Sequence, residues 1–363
     1  MSDPYVFDPE APDPVAALRE IAFWRERARV DSHRVMAYRN AADAVEGLPA
    51  QGREALGTSA AAWQRLPGIG SSTATAITQA LAGTVPTALV SARASATEVL
   101  AVDDDAGRAF AARLRGDLHS HTEASDGSTP AGEMARVARR LGRSYLAVTD
   151  HSPRLTVARG LSPARLRAQL DEIAALNEAL VAEHEASDGE GEPFRVLTGI
   201  EVDILPDGSL DQESELLGRL DVVVASVHSE LRMESAAMTR RLVTAVANPH
   251  VDVLGHCTGR KVEGKPRPPS TFDAEIVFEA CRELGTAVEI NSRPERRDPP
   301  QELIALAVET GCLFSIDSDS HAPGQLSWLP LAASRAARAG VDPDDVITTW
   351  PVERLLEWTT SHG

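Results

Sequence analysis

Histidines that follow one short apolar run after another constrain this chain more than any other feature of its sequence. Tyr145-Leu146-Ala147-Val148-Thr149-Asp150 runs into His151, and Val222-Val223-Val224-Ala225-Ser226-Val227 runs into His228. Val251-Asp252-Val253-Leu254-Gly255 leads to His256, and Leu313-Phe314-Ser315-Ile316-Asp317-Ser318-Asp319-Ser320 leads to His321. A further run, Arg195-Val196-Leu197-Thr198-Gly199-Ile200, ends in Glu201 with Asp203 beyond it. The series opens with Gly116-Asp117-Leu118-His119-Ser120-His121, and Asp126 follows. Residues two apart in a strand point to the same side, so His119 and His121 can share an ion if the strand end stays extended. One strand-end histidine commonly does no more than cap a loop. Six of the chain's ten histidines occupy such places, and scattered core histidines would not follow strand after strand.

These runs mark seven strands, at about 116–120, 144–149, 195–200, 221–227, 251–255, 286–290 and 313–318. Helical periodicity fills most of the gaps, over 131–141, 163–185, 234–247, 272–284 and 301–310. Repeated strand–helix units favour a parallel α/β barrel or a doubly wound sheet. With candidate ligands after six of the seven strands the barrel is preferred, because its C-terminal rim brings every strand end to one opening.

The 363 residues suffice for two domains. The net charge is −18, and residues 116–363 carry −16 of it. An acidic body with carboxylates gathered at a pocket suits cation binding and argues against a broad basic face for nucleic acid. The three cysteines, Cys257, Cys281 and Cys312, lack a Cys-x-x-Cys spacing and read as reduced thiols. No basic segment leads into an apolar one at the start, and no run of about 18 apolar residues occurs, so a cytoplasmic location and no membrane partner are expected.

Residues 1–13 are acidic and proline-rich and expected to be loose. A helical domain follows over 14–90, and 91–115 reads as a linker holding Asp103, Asp104 and Asp105 on a solvated turn. Within the helical domain, Leu66-Pro67-Gly68-Ile69-Gly70-Ser71 precedes a helix running to Leu81 and resembles a helix-hairpin-helix motif. Its glycines permit a tight turn, and the N–H groups of Gly68, Ile69, Gly70 and Ser71 at the helix start are candidates to hold a phosphate of DNA without reading sequence. The wider stretch, from Arg34 through Tyr38-Arg39 and Pro49 to Gly83-Thr84-Val85-Pro86, resembles the small N-terminal domain of X-family DNA polymerases. That family carries lysines on the helix after the hairpin. Here Ser72 and Ala76 stand there, and Lys261 and Lys265 are the only lysines in the chain, which argues against amine-based lyase chemistry. The span 88–115 has no room for a polymerase palm.

His119, His121, Asp126, His151, Glu201, His228, His256, Asp319 and His321 exceed the needs of one ion, so two or three divalent ions are implied. Mixed imidazole and carboxylate ligation suits Zn, Mn or Fe over Ca. Asp117-Leu118-His119-Ser120-His121, Thr149-Asp150-His151, Gly199-Ile200-Glu201-Val202-Asp203, Ala225-Ser226-Val227-His228, Glu289-Ile290-Asn291 and Asp317-Ser318-Asp319-Ser320-His321 resemble, in order, the motifs of the PHP (polymerase and histidinol phosphatase) domain. The match is closest to the PHP domain of bacterial X-family polymerases. The resemblance implies a distorted, seven-stranded TIM-like (β/α)7 barrel over 116–363 with a trinuclear site. It assigns His119, His121, Glu201 and Asp319 to one ion, Glu201, His228 and His256 to a second, and Asp126, His151 and His321 to the third.

Such a cluster supports phosphoester hydrolysis, with the ions acidifying water and sharing charge on phosphoryl oxygens. Asp117 or Asp317 would orient metal-bound groups, and Arg260 and Arg296 would supply phosphate forks. Cys257 stands where the family usually has proline and is expected to be a neutral substitution. The substrate is expected to be DNA ends, in a 3′-5′ exonuclease-like reaction, or a small phosphomonoester. A non-catalytic DNA-associated factor would be expected to have lost ligands. A C–N hydrolase of similar barrel would want a bridging lysine that no strand here supplies.

Overall fold

The computed structural model describes residues 13–99, 104–186 and 192–361. The chain forms two compact units, Met1–Ala101 and Val102–Gly363. The stretch expected to be loose lies outside the described residues save for Asp13, whose carboxylate accepts from Val15 N at 3.1 Å and starts the first helix.

The first unit is helical: α1 (Pro14–Arg27), α2 (Ser32–Glu46), α3 (Ala50–Leu56), α4 (Ala60–Trp63), α5 (Ser71–Leu81) and α6 (Thr87–Val99). Leu18, Ile21 and Ala22, one face of α1, are fully buried. Two charged side chains are buried with them: Arg39 donates from Nε and Nη2 to the Glu26 carboxylate at 2.7 and 2.8 Å. The turn before α5 places Gly68 at φ +83°, the left-handed region open to glycine. Ile69 does not face outward: its side chain is buried and its N–H donates to Leu66 O at 3.3 Å. The Gly70 N–H donates to Thr73 Oγ1 at 2.9 Å. Of the four residues expected to offer N–H groups to a phosphate, two therefore engage theirs inside the turn.

The second unit begins with α7 (Asp105–Ala111). Asp103 lies outside the described residues, but Asp104 caps α7 and accepts from Ser334 Oγ, so it is a structural cap rather than part of a solvated turn. Seven strands follow: β1 (Gly116–Asp117), β2 (Tyr145–Val148), β3 (Arg195–Asp203), β4 (Val222–Ser226), β5 (Val253–Leu254), β6 (Ala287–Asn291) and β7 (Phe314–Asp317). They are ordered β1 to β7 with every neighbouring pair parallel. The helices between and after them are α8 (Ala131–Arg140), α9 (Pro163–Ala186), α10 (Ser214–Leu217), α11 (Ser235–Val246), α12 (Ala274–Leu284), α13 (Gln301–Thr310), α14 (Leu329–Ala339) and α15 (Val352–Ser361).

Strand alternation sorts the apolar residues into two layers. Ile200, Val202, Val223, Ala225, Val288, Ile290 and Ile316 pack with the helices, through residues such as Met238, Phe278 and Ile304. Tyr145, Ala147, Leu197, Val222, Val224, Val253 and Ala287 form a second cluster with Ile347, Trp350 and Leu355. Tyr145 Oη donates to the carbonyls of Ile347 and Trp350 at 3.3 and 3.2 Å, so the C-terminal segment closes the strands' N-terminal end. Each fully buried side chain of this size contributes about 1.5–3 kcal/mol.

The barrel is nearly closed. No ladder joins β7 to β1; the seam is held by the parallel bridge Ser120–Ser320, by Leu118 N donating to Asp317 Oδ1 at 2.8 Å and by Ser318 N donating to Asp117 Oδ1 at 3.1 Å. Gly255 lets β5 approach β4, because a Cβ there would lie 2.2 Å from Ser226 Oγ.

Candidate metal centre

Glu201 lies near the C-terminal end of β3, 1% exposed, with imidazoles from four strand ends turned toward it. Its Oε1 is 3.2 Å from His228 Nε2 and 2.9 Å from His256 Nε2. Its Oε2 is 2.9 Å from His151 Nδ1, 3.4 Å from His119 Nε2 and 3.5 Å from His121 Nε2. Asp126 forms a second focus, its Oδ1 lying 3.4 Å from His321 Nε2 and 3.5 Å from His151 Nε2. Parallel strands that all end at one rim account for this: ligands spread over some 200 residues of sequence need only be strand ends to meet.

Three sets can each close on a single point: His121, Asp126, His151 and His321; His119, His121 and Glu201; and His151, Glu201 and His228. All nine expected ligands converge. His121 and His151 each belong to two sets. Asp319 stands partly aside, because its Oδ2 accepts from Asn291 Nδ2 at 3.1 Å and pairs with Arg296 Nε at 3.0 Å, leaving Oδ1 3.5 Å from His121 Nε2. Its backbone is left-handed, φ +49°, an unusual conformation for aspartate of the kind found at functional sites.

Burial and mutual charge set the protonation here. Burial alone would raise Glu201, but His228, His119 and His151 hold its carboxyl well below the usual range. Burial would lower His119, yet Glu201, Glu289 and Asp319 carry it well above the usual imidazole value. His151 is raised to about 10, as the pull of Glu201 and Asp126 outweighs its burial. His121 is pushed well down by burial and by His321 and His151.

Several of these nitrogens are buried without a hydrogen-bond partner among the described residues: His119 Nε2, both nitrogens of His121 and of His228, His151 Nδ1 and His256 Nδ1. Orphaned buried imidazoles turned on carboxylates fit divalent cations, for which neutral imidazole and carboxylate are ordinary ligands.

Three side chains that hold the ligands carry no histidine-like signal in the sequence. Glu289 accepts from or shares a proton with His119 Nδ1 at 2.6 Å and takes the His256 N–H on its other oxygen. Asp203 Oδ1 is 3.4 Å from His228 Nδ1. Arg293 Nη1 lies 2.8 Å from both Asp319 O and His321 Nδ1. Period-two alternation from Glu201 to Asp203 and from Asn291 back to Glu289 is the signal that could have found the first two.

The residues expected to assist chemistry are placed differently from one another. Asp117 Oδ1 takes the N–H groups of His119 and Ser318 at 3.2 and 3.1 Å, so it fastens the seam beneath the ligands rather than reaching over them. Arg260 donates through Nε to the carbonyls of Arg296 and Arg297 at 3.2 and 3.1 Å, and through Nη2 to Arg297 as well. It is a brace between loops and not a free phosphate fork. Arg296 does sit at the centre, over Asp319. The thiol of Cys257 is buried and pushed far up by that burial, which makes it inert.

The PHP domain model matches residues 117–322, and the helix-hairpin-helix domain model matches residues 9–84. The chain belongs to the PHP domain family. A DNA polymerase/3′-5′ exonuclease PolX of Bacillus subtilis is 36% identical over 255 residues, which are 70% of this chain and 42% of that protein. The chain thus spans less than half of that relative's length. A probable phosphatase of Vibrio parahaemolyticus is 30% identical over 258 residues, 68% of this chain and 94% of the relative. A histidinol phosphate phosphatase of Lactococcus lactis, solved with zinc, L-histidinol and phosphate, superposes with a TM-score of 0.45 at 18% identity, covering 63% of this chain and 95% of that one. Among the described residues no helix is long and apolar enough to cross a membrane.

Proposed function

We propose that this PHP protein is a metal-dependent phosphoesterase that removes nucleotides from DNA 3′ ends. The observation that carries the reading is one buried carboxylate, Glu201, facing five imidazoles, most of which have an orphaned nitrogen. The relatives named exonuclease and phosphatase support phosphoester substrates, and the helix-hairpin-helix match supports DNA among them.

Divalent ions, when bound, supply acidified water and Lewis-acid stabilisation of phosphoryl oxygens. His119, His121, Asp126, His151, Glu201, His228, His256, Asp319 and His321 would hold two or three such ions. Glu289 orients the His119 ring so that Nε2 faces Glu201, and the Asp203 carboxylate lies 3.4 Å from His228 Nδ1. Arg293 and Arg296 bring fixed positive charge to Asp319, where a phosphoryl group entering the centre would meet guanidinium donors.

A small phosphomonoester is the second reading, favoured by relatives that the chain covers almost end to end and that are named probable phosphatases. The test sets a 5′-labelled single-stranded oligonucleotide beside L-histidinol phosphate, with manganese-loaded protein and His119→Ala as control. Stepwise shortening of the oligonucleotide, absent in His119→Ala, is expected. Activity on histidinol phosphate alone would transfer the conclusion to the second reading, and activity on neither with metal bound would end both.

A further inference from the structure

Two neighbouring loops of the barrel unit, after β5 and β6, are rich in cations. Arg260, Lys261, Lys265 and Arg267 lie in one loop and Arg293, Arg296 and Arg297 in another, against only Glu263 and Glu295 within 260–267 and 293–297. Both lysines of the chain are here, in a protein of net charge −18. The loops after β3 and β4 are the reverse: over 204–213 and 229–234 they hold Asp207, Asp211, Glu213, Glu230 and Glu234 against Arg232 alone.

The two basic loops are built as one piece. Lys261 and Arg267 pair as an antiparallel bridge, each N–H donating to the other's carbonyl at 2.9 Å. Val262 N donates to Glu295 O at 2.7 Å, the Arg260 brace ties the hairpin base to residues 296 and 297, and Arg267 Nε donates to Gly259 O at 2.6 Å. The acidic residues are taken up, Glu263 by Arg297 at 2.6 Å and Glu295 by Arg293 at 2.9 Å. Lys261, Lys265 and Arg267 have no ion-pair partner among the described residues. Burial and the nearby guanidiniums of Arg296, Arg267 and Arg293 push the Lys261 ammonium down, against a smaller opposing pull from Glu295. The patch starts at the metal centre, where Arg293 and Arg296 reach Asp319 at 3.4 and 3.0 Å, and it ends at exposed Lys265 on the hairpin tip.

We propose that the 261–267 hairpin and the 293–297 loop form a track for the phosphodiester backbone of a single nucleic-acid strand whose end lies in the metal centre. The assignment deepens the phosphoesterase reading and rests on it for the position of the strand end. A hairpin of this length extends about 10 Å from base to tip, more than one phosphate occupies. A phosphomonoester has nothing to place along it. Bonds from side-chain cations to phosphates carry no base information, so the track is indifferent to sequence.

The experiment is binding of a 5′-fluorescein dT12 strand to the full-length protein by anisotropy across a salt series. Wild type is compared with Lys261→Ala/Lys265→Ala and with Lys261→Arg/Lys265→Arg. Two lost phosphate contacts should weaken binding about tenfold at low salt and reduce the slope of log Kd against log salt by about 1.4, and the arginine pair should restore both. An unchanged slope in the alanine pair, or an arginine pair that behaves like it, overturns the track. Hydrolysis of p-nitrophenyl phosphate and shortening of the labelled strand by the same manganese-loaded wild-type sample separate the two claims. If both are absent while the slope difference persists, the phosphoesterase reading fails and the basic track stands as a strand-binding surface.

Discussion

The turn at Leu66–Gly70 and the hairpin at 261–267 are both exposed, glycine-containing turns, and they differ in how they meet a phosphate. In the first, the N–H groups of Ile69 and Gly70 are bound within the turn, and no lysine occurs anywhere in residues 1–115. In the second, unpaired cations crowd together beside a metal centre in an otherwise acidic unit. The unit that matches the helix-hairpin-helix domain thus offers less for a phosphate than the unit that matches the PHP domain. Fold indicates what an ancestor's surface did, whereas affinity for a polyanion follows the charges that remain.

The comparison is broken first at the centre itself. Glu201→Gln removes the charge that five imidazoles face, and hydrolysis of any phosphoester by the barrel should fall by about a thousandfold or more. Metal content by elemental analysis and turnover of p-nitrophenyl phosphate check it; retained turnover would place the chemistry elsewhere. Next in size is the helical unit's buried pair. Arg39→Ala leaves the Glu26 carboxylate buried without its guanidinium and should cost that unit about 3–5 kcal/mol, while Glu26→Leu/Arg39→Met should recover most of it. Thermal unfolding reads the loss. Phosphomonoester turnover that persists in Arg39→Ala would confirm that the barrel's chemistry does not need the helical unit intact.

A smaller effect tests what lies beneath the ligands. Asp117 and Asp317 are fully buried, each with an Oδ2 that lacks a hydrogen-bond partner. Burial raises Asp117 to about 6, and burial together with the Asp117 carboxyl raises Asp317 well above the usual carboxylate value. A carboxyl whose folded pKa is raised stabilises the fold below its unfolded value near 3.9 and loses that contribution as pH climbs through about 6. Metal-free protein should therefore lose stability from this pair between pH 4 and 6, and Asp117→Asn should lose less. Denaturant midpoints at three pH values decide it, and parallel curves would refute the shared burden.

Much of the centre was legible because the barrel places function at strand ends, where a histidine after an apolar run is visible without knowing any partner. The pairing of Glu289 with His119 was not, since only the fold brings the two together from 170 residues apart. The brace at Arg260 was equally hidden. It depends on carbonyls that Arg297, at φ +49°, turns toward it. The strand pattern predicts a barrel but not its seam, which two carboxylates and one bridge hold in place of a ladder.

The finest test returns to the helical turn. Ser72 is exposed on the first turn of α5. If DNA passes this turn, Ser72→Lys adds one cation beside a phosphate, worth about 0.3–1 kcal/mol at an exposed site, or roughly a two- to fivefold tighter oligonucleotide at low salt. The gain should vanish as salt rises, because exposed charges are screened within about 10 Å at 0.1 M. A salt-sensitive gain would mean that this turn touches the strand. No gain at any salt would mean that this turn, despite its ancestry, is a packing element, and that the barrel rim alone draws the substrate in.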